Sequence, residues 1–382
     1  MKIESVETAI YRLPLARPWG DLTHRITEIE LVLCEVGAGG GRRGVGFSYS
    51  VGVGGTAIQT FIDDYATPRL LGAAAEPRAR WHQLWRELHD AGPGLGTMAL
   101  AAVDIALWDL EAKRLDLPLV ELLGRCRESI PAYGSGVNLN LSSAQLEEQV
   151  RRWVEAGYGA VKVKVGRPEL EEDKERLELV RRLIGPRRGL MVDANQGWDL
   201  PQALRAVRAL EAFDLRWVEE PLLAEDVGGH AALRRSLPIP VAVGENIYSS
   251  HRFREYLAQG ACDVVQADVV RVGGITPWME IAALAQTFSV PMAPHFLVEL
   301  SGQLLCCIPN GSLLEDVDGG SFTELGILEH GMGVREGRFV PPTRPGHGIT
   351  FDGVRLVEGG SLQSRGDGAG ATSGRRDGDR TG

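Results

Sequence analysis

Two lysines, five carboxylates and one histidine lie in this chain within or just after short apolar runs. That arrangement suits proton chemistry beside a hard metal ion. Three consecutive runs each close on an acid: Leu190-Met191-Val192-Asp193, Trp217-Val218-Glu219 and Val241-Ala242-Val243-Gly244-Glu245. Singly, each acid reads as a helix N-cap or a first-turn carboxylate. On neighbouring parallel strands, only about 4.8 Å apart, the three would repel one another unless a cation sat among them. Hard oxygen ligands on a rigid frame suit Mg²⁺ and leave positions open for substrate and water. No His or Cys accompanies them, which argues against zinc.

The run Ala160-Val161-Lys162-Val163-Lys164-Val165 places both lysines on one face by strand alternation. A lone Lys-x-Lys reads as the wet face of an edge strand. A strand of a closed barrel has no wet face, so two ammonium groups there need an anion to meet them. Their crowding is expected to lower the pKa of one, making a base usable near neutral pH. Asp268 and His295 follow the next two runs, where a hydrogen bond between them would fix the imidazole tautomer and raise its basicity. Glu315 follows the last run and, if kept protonated, would donate to a substrate carboxylate. Lys164 and His295 then stand on opposite sides of the metal as two bases facing one α-carbon. Loss of that α-proton leaves a dianion for the metal, Lys162 and Glu315 to stabilise.

Such a set needs a frame that brings the ends of many strands together. Between 129 and 326 apolar runs recur at Ala132–Val137, Ala160–Val165, Leu190–Val192, Arg216–Val218, Val241–Val243, Val264–Ala267, Val290–Ala293 and Ser312–Leu314. Segments of helical periodicity separate them, the clearest opened by a Ser142/Gln145 capping box and stopped at Gly157. This alternation predicts an α/β chain folded as a parallel (β/α) TIM-like barrel with its chemistry at the C-terminal strand ends. A doubly wound open sheet is the alternative, and the absence of a GxGxxG between strand and helix weakens its nucleotide-binding form.

Residues 1–128 read as an α+β unit. Its expected strands are Ile3–Leu13 and Glu28–Glu35, with a Gly-rich turn at Gly37–Gly44. Helices are expected at Thr56–Leu71, Ala79–His89 and Thr97–Arg114. The Gly-, Ser-, Asp- and Arg-rich stretch 359–382 reads as a disordered tail.

Composition is that of a globular chain, with 382 residues, 44% hydrophobic and 24% charged. A net charge of −10 argues against nucleic acid or an anionic membrane as partner. No apolar run reaches membrane-spanning length, and the first residues show no secretory pattern. Five cysteines without a CxxC fit a reducing cytosol, with Cys306 and Cys307 as buried apolar residues.

The complete set resembles the mandelate racemase group of the enolase superfamily. The resemblance runs from Ala102-Val103-Asp104-Ile105-Ala106-Leu107-Trp108-Asp109, similar to a capping-domain signature, through Lys162-Val163-Lys164, Val192-Asp193-Ala194-Asn195, Glu219-Glu220-Pro221, Gly244-Glu245-Asn246 and Pro294-His295. From Asp193 to Glu315 the functional residues are 26, 26, 23, 27 and 20 positions apart. The resemblance implies an enolase-type modified barrel, with Mg²⁺ on Asp193, Glu219 and Glu245. It makes Lys164 and the His295–Asp268 pair the acid/base catalysts, Lys162 the neutraliser of the substrate carboxylate and Glu315 its electrophile. Asn195 becomes a substrate or metal contact. It also implies that residues 1–128 cap the barrel mouth, that residues 327–358 return to that cap, and that the protein is a homo-oligomer acting on a small carboxylate.

Which carboxylate depends on the stretch Ala16–Thr27, read as a lid loop. Its Arg17, Asp21, Thr23, His24 and Arg25 suit a polyhydroxylated anion better than an aromatic one, with His24 or Arg25 reaching a distal group. A second loop, Ser48–Gly55, is Gly-rich and expected to move. The expectation is an acid-sugar dehydratase giving a 2-keto-3-deoxy acid. A 2-hydroxyacid racemase or epimerase is the alternative, and a lactonising cycloisomerase stands behind that.

Overall fold

A computed structural model describes residues 1–22 and 24–353. The tail expected at 359–382 and the last residues of the return segment lie outside the described residues.

Alternating apolar residues open the chain as an antiparallel meander, β1 (Ile3–Gly20), β2 (Arg25–Ala38) and β3 (Arg42–Ser50), in that order. The stretch read as a lid loop is therefore mostly strand: Trp19 pairs with Ile26 and Gly20 with Arg25. Pro14 and Pro18 cannot donate to a ladder, and the register slips between Pro14 and Trp19 before pairing resumes. The expected helix Thr56–Leu71 is divided into α1 (Gly55–Phe61), a π turn at Ile62–Ala66 and α2 (Thr67–Leu70). The helices α3 (Pro77–Leu88), α4 (Leu95–Arg114) and α5 (Leu119–Leu123) complete this part.

Small residues let α4 lie close on the sheet. A Cβ at Gly46 of β3 would overlap the Ala102 carbonyl and come within 3.0 Å of Ala106 Cα. That approach fixes β3, which ends at the barrel mouth.

Eight segments then form the barrel. In order come β4 (Ile130–Ser135), α6 (Ser143–Glu155), β5 (Ala160–Lys164), α7 (Leu170–Ile184), β6 (Gly189–Asp193), α8 (Leu200–Leu210), β7 (Leu215–Glu219), α9 (Val227–Ser236), β8 (Val241–Val243), α10 (Ser250–Gln259) and β9 (Val264–Val265). The helices α11 (Ile275–Thr287) and α12 (Val298–Cys306) follow, then β10 (Leu314–Val317). Strands β4 to β9 pair in parallel in chain order, and β10 pairs in parallel with β4. The seventh position is not a full strand. Met292 makes single bridges to Val265 and Gly311, because Pro291 and Pro294 offer no N–H on either side. A short hairpin, β11 (Val334–Arg335) and β12 (Arg338–Phe339), adds to the outer end of β4.

One inward residue from each barrel segment builds the floor: Tyr133, Ala160, Met191, Trp217, Ala242, Val264, Ala293 and Leu313. Tyr133 and Trp217 fill most of it, edge to face at 5.6 Å. Among the described residues all cysteines are free, with Cys306 and Cys307 buried, and no helix is long and apolar enough to cross a membrane.

The cap is fastened to the barrel by residues of the α4 signature. Asp104 accepts from the N–H and hydroxyl of Thr276 at 2.8 and 2.7 Å, capping α11 across the interface. Trp108 donates to the same hydroxyl at 2.9 Å. Asp109 accepts from Val45 N and from His347 N of the returning segment.

Burial pushes the Asp104 carboxyl up to about 7, partly offset by the donors at Thr276 and Ile275. A carboxyl raised on folding stabilises the protein below its unfolded pKa and loses that contribution as pH rises through the folded value. Between pH 4 and 7 wild type should therefore lose about 1.4 kcal/mol per pH unit relative to an Asp104→Asn variant. Denaturant unfolding of both proteins at several pH values checks this, and a constant difference would contradict it.

Candidate active site

Strand period two carries the chemistry from the floor to the mouth. Two residues above inward Ala160, Met191, Trp217, Ala293 and Leu313 stand Lys162, Asp193, Glu219, His295 and Glu315, with Lys164 one step above Lys162. In β8 the corresponding position is Gly244, at φ 155 and pressed on the backbone of Gln266 and Ala267. A side chain there would collide, so the acid comes one residue later, at Glu245.

Asp193, Glu219 and Glu245, at the ends of three adjacent strands, are all buried. Each offers an oxygen, and all three lie within 4.8 Å of one another. The two lysines face them from β5. Lys164 Nζ is 2.5 Å from Asp193, and Lys162 Nζ meets Glu219 and lies 2.7 Å from Glu315. Outer partners hold the acids in place: Gln266 and Trp217 donate to Glu219 Oε2 at 2.6 and 3.1 Å, and Asn195 N donates to Asp193 at 2.8 Å.

Charge in this cluster is unbalanced. Burial raises Glu219 to about 7; Lys162 opposes it, while Asp193, Glu315 and Glu245 push it further up. Burial would raise Asp193 too, but Lys164 and Lys162 bring it below its ordinary value. The cluster lacks positive charge at the point where three hard oxygens converge. That donor set fits Mg²⁺.

The neighbouring acids dominate the protonation of this cluster. Burial favours neutral lysines, yet Lys162 is held well above its ordinary pKa by Glu219 and Glu315, and Lys164 is raised by Asp193. Lys162 lowers Lys164, as crowding should, but the carboxylates outweigh it. Donation by Glu315 to a substrate carboxylate would require its protonation, which its surroundings oppose. Against the effect of burial, Lys162 and His295 with hydrogen bonds from Lys162 and Ser135 hold it at about 2. It accepts from Ser135 Oγ at 2.7 Å and Phe296 N at 2.9 Å as well as facing Lys162. Three donors make it an ionised acceptor.

Across the mouth, His295 Nδ1 lies 2.7 Å from Asp268 Oδ2 and its Nε2 lies 3.5 Å from Glu245. Burial lowers the imidazole pKa, but Glu245 and Asp268 more than compensate and raise it. Asp268 thus orients His295 so that Nε2 faces Glu245 of the acidic triad.

One cavity joins these groups. Lys162, Lys164, Asn195, Glu245, His295 and Glu315 line it together with His24 from the β1–β2 hairpin. Arg25 does not; it is exposed, and its strand position opposite Gly20 sets it outside the lining. Arg17 turns outward to Glu148 at 3.8 Å. The hairpin's contribution is mixed: Asp21 lines the cavity with His24, but so do Trp19 and Ile26, beside Val51, Val137 and Phe296. Several lining residues were missed in the sequence, among them Tyr49, Ser135 and Arg271. Tyr49 donates to Asp268 at 2.6 Å, Ser135 donates to Glu315, and Arg271 donates to the Glu245 carbonyl and Asn246 at 2.8 Å. Of these three only Tyr49 carried a signal, its place in the Ser48–Gly55 stretch expected near the mouth.

Comparison with known proteins agrees with this architecture. Residues 5–124 match the mandelate racemase/muconate lactonizing enzyme N-terminal domain, and residues 145–355 match the enolase C-terminal domain-like family. The chain is 37% identical to 3,6-anhydro-alpha-L-galactonate cycloisomerase of Streptomyces coelicolor, over 93% of this chain and 98% of that protein. It is 38% identical to L-talarate/galactarate dehydratase of Salmonella typhimurium, over 92% of this chain and 89% of that one. A racemase structure from Streptomyces coelicolor with bound magnesium superposes with a TM-score of 0.90 at 36% identity, covering 94% of this chain and 99% of that one. The chain belongs to the mandelate racemase/muconate lactonizing enzyme family of the enolase superfamily.

Proposed function

We propose that this protein is a Mg²⁺-dependent acid-sugar dehydratase, a lyase converting an aldonate or aldarate to its 2-keto-3-deoxy acid. The observation that carries the reading is that two independently held bases, Lys164 and His295, enter one cavity on either side of a buried acidic triad. Magnesium on Asp193, Glu219 and Glu245 would supply the positive charge that makes a carbon acid beside a carboxylate accessible, and would relieve the pull of those acids on the lysines.

The chain's own residues do the rest. Lys162 faces the substrate carboxylate and is itself held by Glu315. One base removes the α-proton, and an acid at the mouth protonates the departing β-hydroxyl, so that water leaves and an enol remains. The enol takes up a proton at the β-carbon as it becomes the 2-keto acid. Asn195 is a substrate contact: it lines the cavity, at φ 41, and its side-chain amide makes no hydrogen bond to the described residues. His24 would meet a distal hydroxyl, while Trp19 and Ile26 pack against the carbon chain. Arg25 has no part in this reading. The similarity to a dehydratase of acid sugars supports the assignment.

Two bases facing one α-carbon would equally serve racemisation or epimerisation, and the similarity to a cycloisomerase extends the same first step to a β-oxygen held in a ring. The fate of that oxygen distinguishes the three.

With Mg²⁺ and a library of acid sugars, semicarbazide should detect a 2-keto product lighter than its substrate by one water. Lys164→Ala and His295→Asn should each lower kcat about 100-fold or more on the substrates whose proton they handle. A keto product of unchanged mass would mean cycloisomerisation, and α-deuterium exchange without a keto product would mean racemisation. Absence of all three would contradict the reading. Asn195→Ala should raise KM about tenfold, the worth of one or two hydrogen bonds, whereas Arg25→Ala should leave kcat/KM within about twofold. Equal losses in steady-state kinetics would reverse these two assignments.

A further inference from the structure

Asp268 does more than pair with His295. Its Oδ1 accepts from the backbone N–H of Val270 and Arg271 at 2.8 and 3.0 Å, which fixes the carboxylate plane. Its Oδ2 is shared: His295 Nδ1 lies 2.7 Å away, and the hydroxyl of Tyr49 donates at 2.6 Å. Tyr49 is 1% exposed and comes from β3 of the cap, 219 positions from Asp268. Its ring is held separately, edge-on to Phe296 at 5.0 Å. Lys164 is held by other groups, Asp193 on β6 and the Asn138 side chain on its backbone N–H, and no hydrogen bond among the described residues joins it to Tyr49.

We propose that Tyr49 is a positioning residue that ties the cap sheet to one of the two bases, setting the His295 face of the reaction and leaving the Lys164 face alone. The inference rests on the two-base reading above. Physically, Asp268 aims the imidazole, and Tyr49 is the only side chain besides His295 that bonds the aiming oxygen among the described residues. Without the hydroxyl, Oδ2 keeps a single partner and Nε2 is less narrowly directed at the α-carbon. Loss of such outer partners commonly costs ten- to a hundredfold where they orient a reacting or ligating group. Because the ring packs through Phe296, Tyr49→Phe removes the hydroxyl and leaves the packing.

The test uses a pair of acid sugars epimeric at C2, which present their α-proton to opposite faces. Exchange of that proton in D₂O, followed by proton NMR with the Mg²⁺-loaded protein, is measured for wild type, His295→Asn and Tyr49→Phe. His295→Asn identifies the epimer served by His295. Tyr49→Phe should slow that epimer about tenfold and leave the other within about twofold, with KM and Tm near wild type. Equal slowing of both epimers would make Tyr49 a general structural residue, and slowing of neither would deny it any role; either result overturns the proposal. If His295→Asn itself fails to separate the epimers, the two-base reading falls, and this inference falls with it.

Discussion

The structure is organised around one unfavourable act, the burial of several carboxylates side by side. Asp193, Glu219, Glu245 and Glu315 sit at the mouth of a closed barrel, where water cannot screen them. Three of them are kept by particular opposing arrangements: two ammoniums from a single strand, a glutamine and a tryptophan on Glu219, a serine and a backbone N–H on Glu315. What remains uncompensated is the centre of the triad, where Glu219 is driven towards neutrality. A site strained in this way binds a divalent cation because the cation removes the strain. The same reasoning explains why the floor below is apolar and aromatic, since Tyr133 and Trp217 close the barrel against water and hold the repulsion in place.

Much of this was legible in the sequence because a barrel strand admits few alternatives. An inward position two residues above a buried apolar one points into the mouth, so an acid there must have a reason. Asp193, Glu219, His295 and Glu315 follow that rule, and Glu245 departs from it only because Gly244 occupies the inward step. The seventh strand was legible as a position but not as a ladder, since its prolines reduce it to the bridges of Met292.

The remainder depended on partners distant in the chain. Glu315 is held below its ordinary pKa by Lys162 and His295 and by Ser135, 180 positions earlier. Tyr49 was placed near the mouth by its stretch, but its partner Asp268, 219 positions away, is known only from the fold. The β1–β2 hairpin reads as a polar loop because its prolines and charges are conspicuous, yet pairing of Trp19 with Ile26 turns apolar residues inward and carries Arg25 out. Asp104 illustrates the converse. Its place in a helical signature was evident, but its task, capping a barrel helix through Thr276, follows only from the packing of α4 between sheet and barrel.

The central claim is that the triad is a metal site whose ligands are these three acids. Calorimetric titration of Mg²⁺ into wild type and into Asp193→Asn, at a pH where the lysines are charged, tests it most directly. The account predicts one Mg²⁺ per chain in wild type and affinity weaker by more than about tenfold in the variant. Absence of binding to wild type, or equal affinity in both proteins, would contradict it.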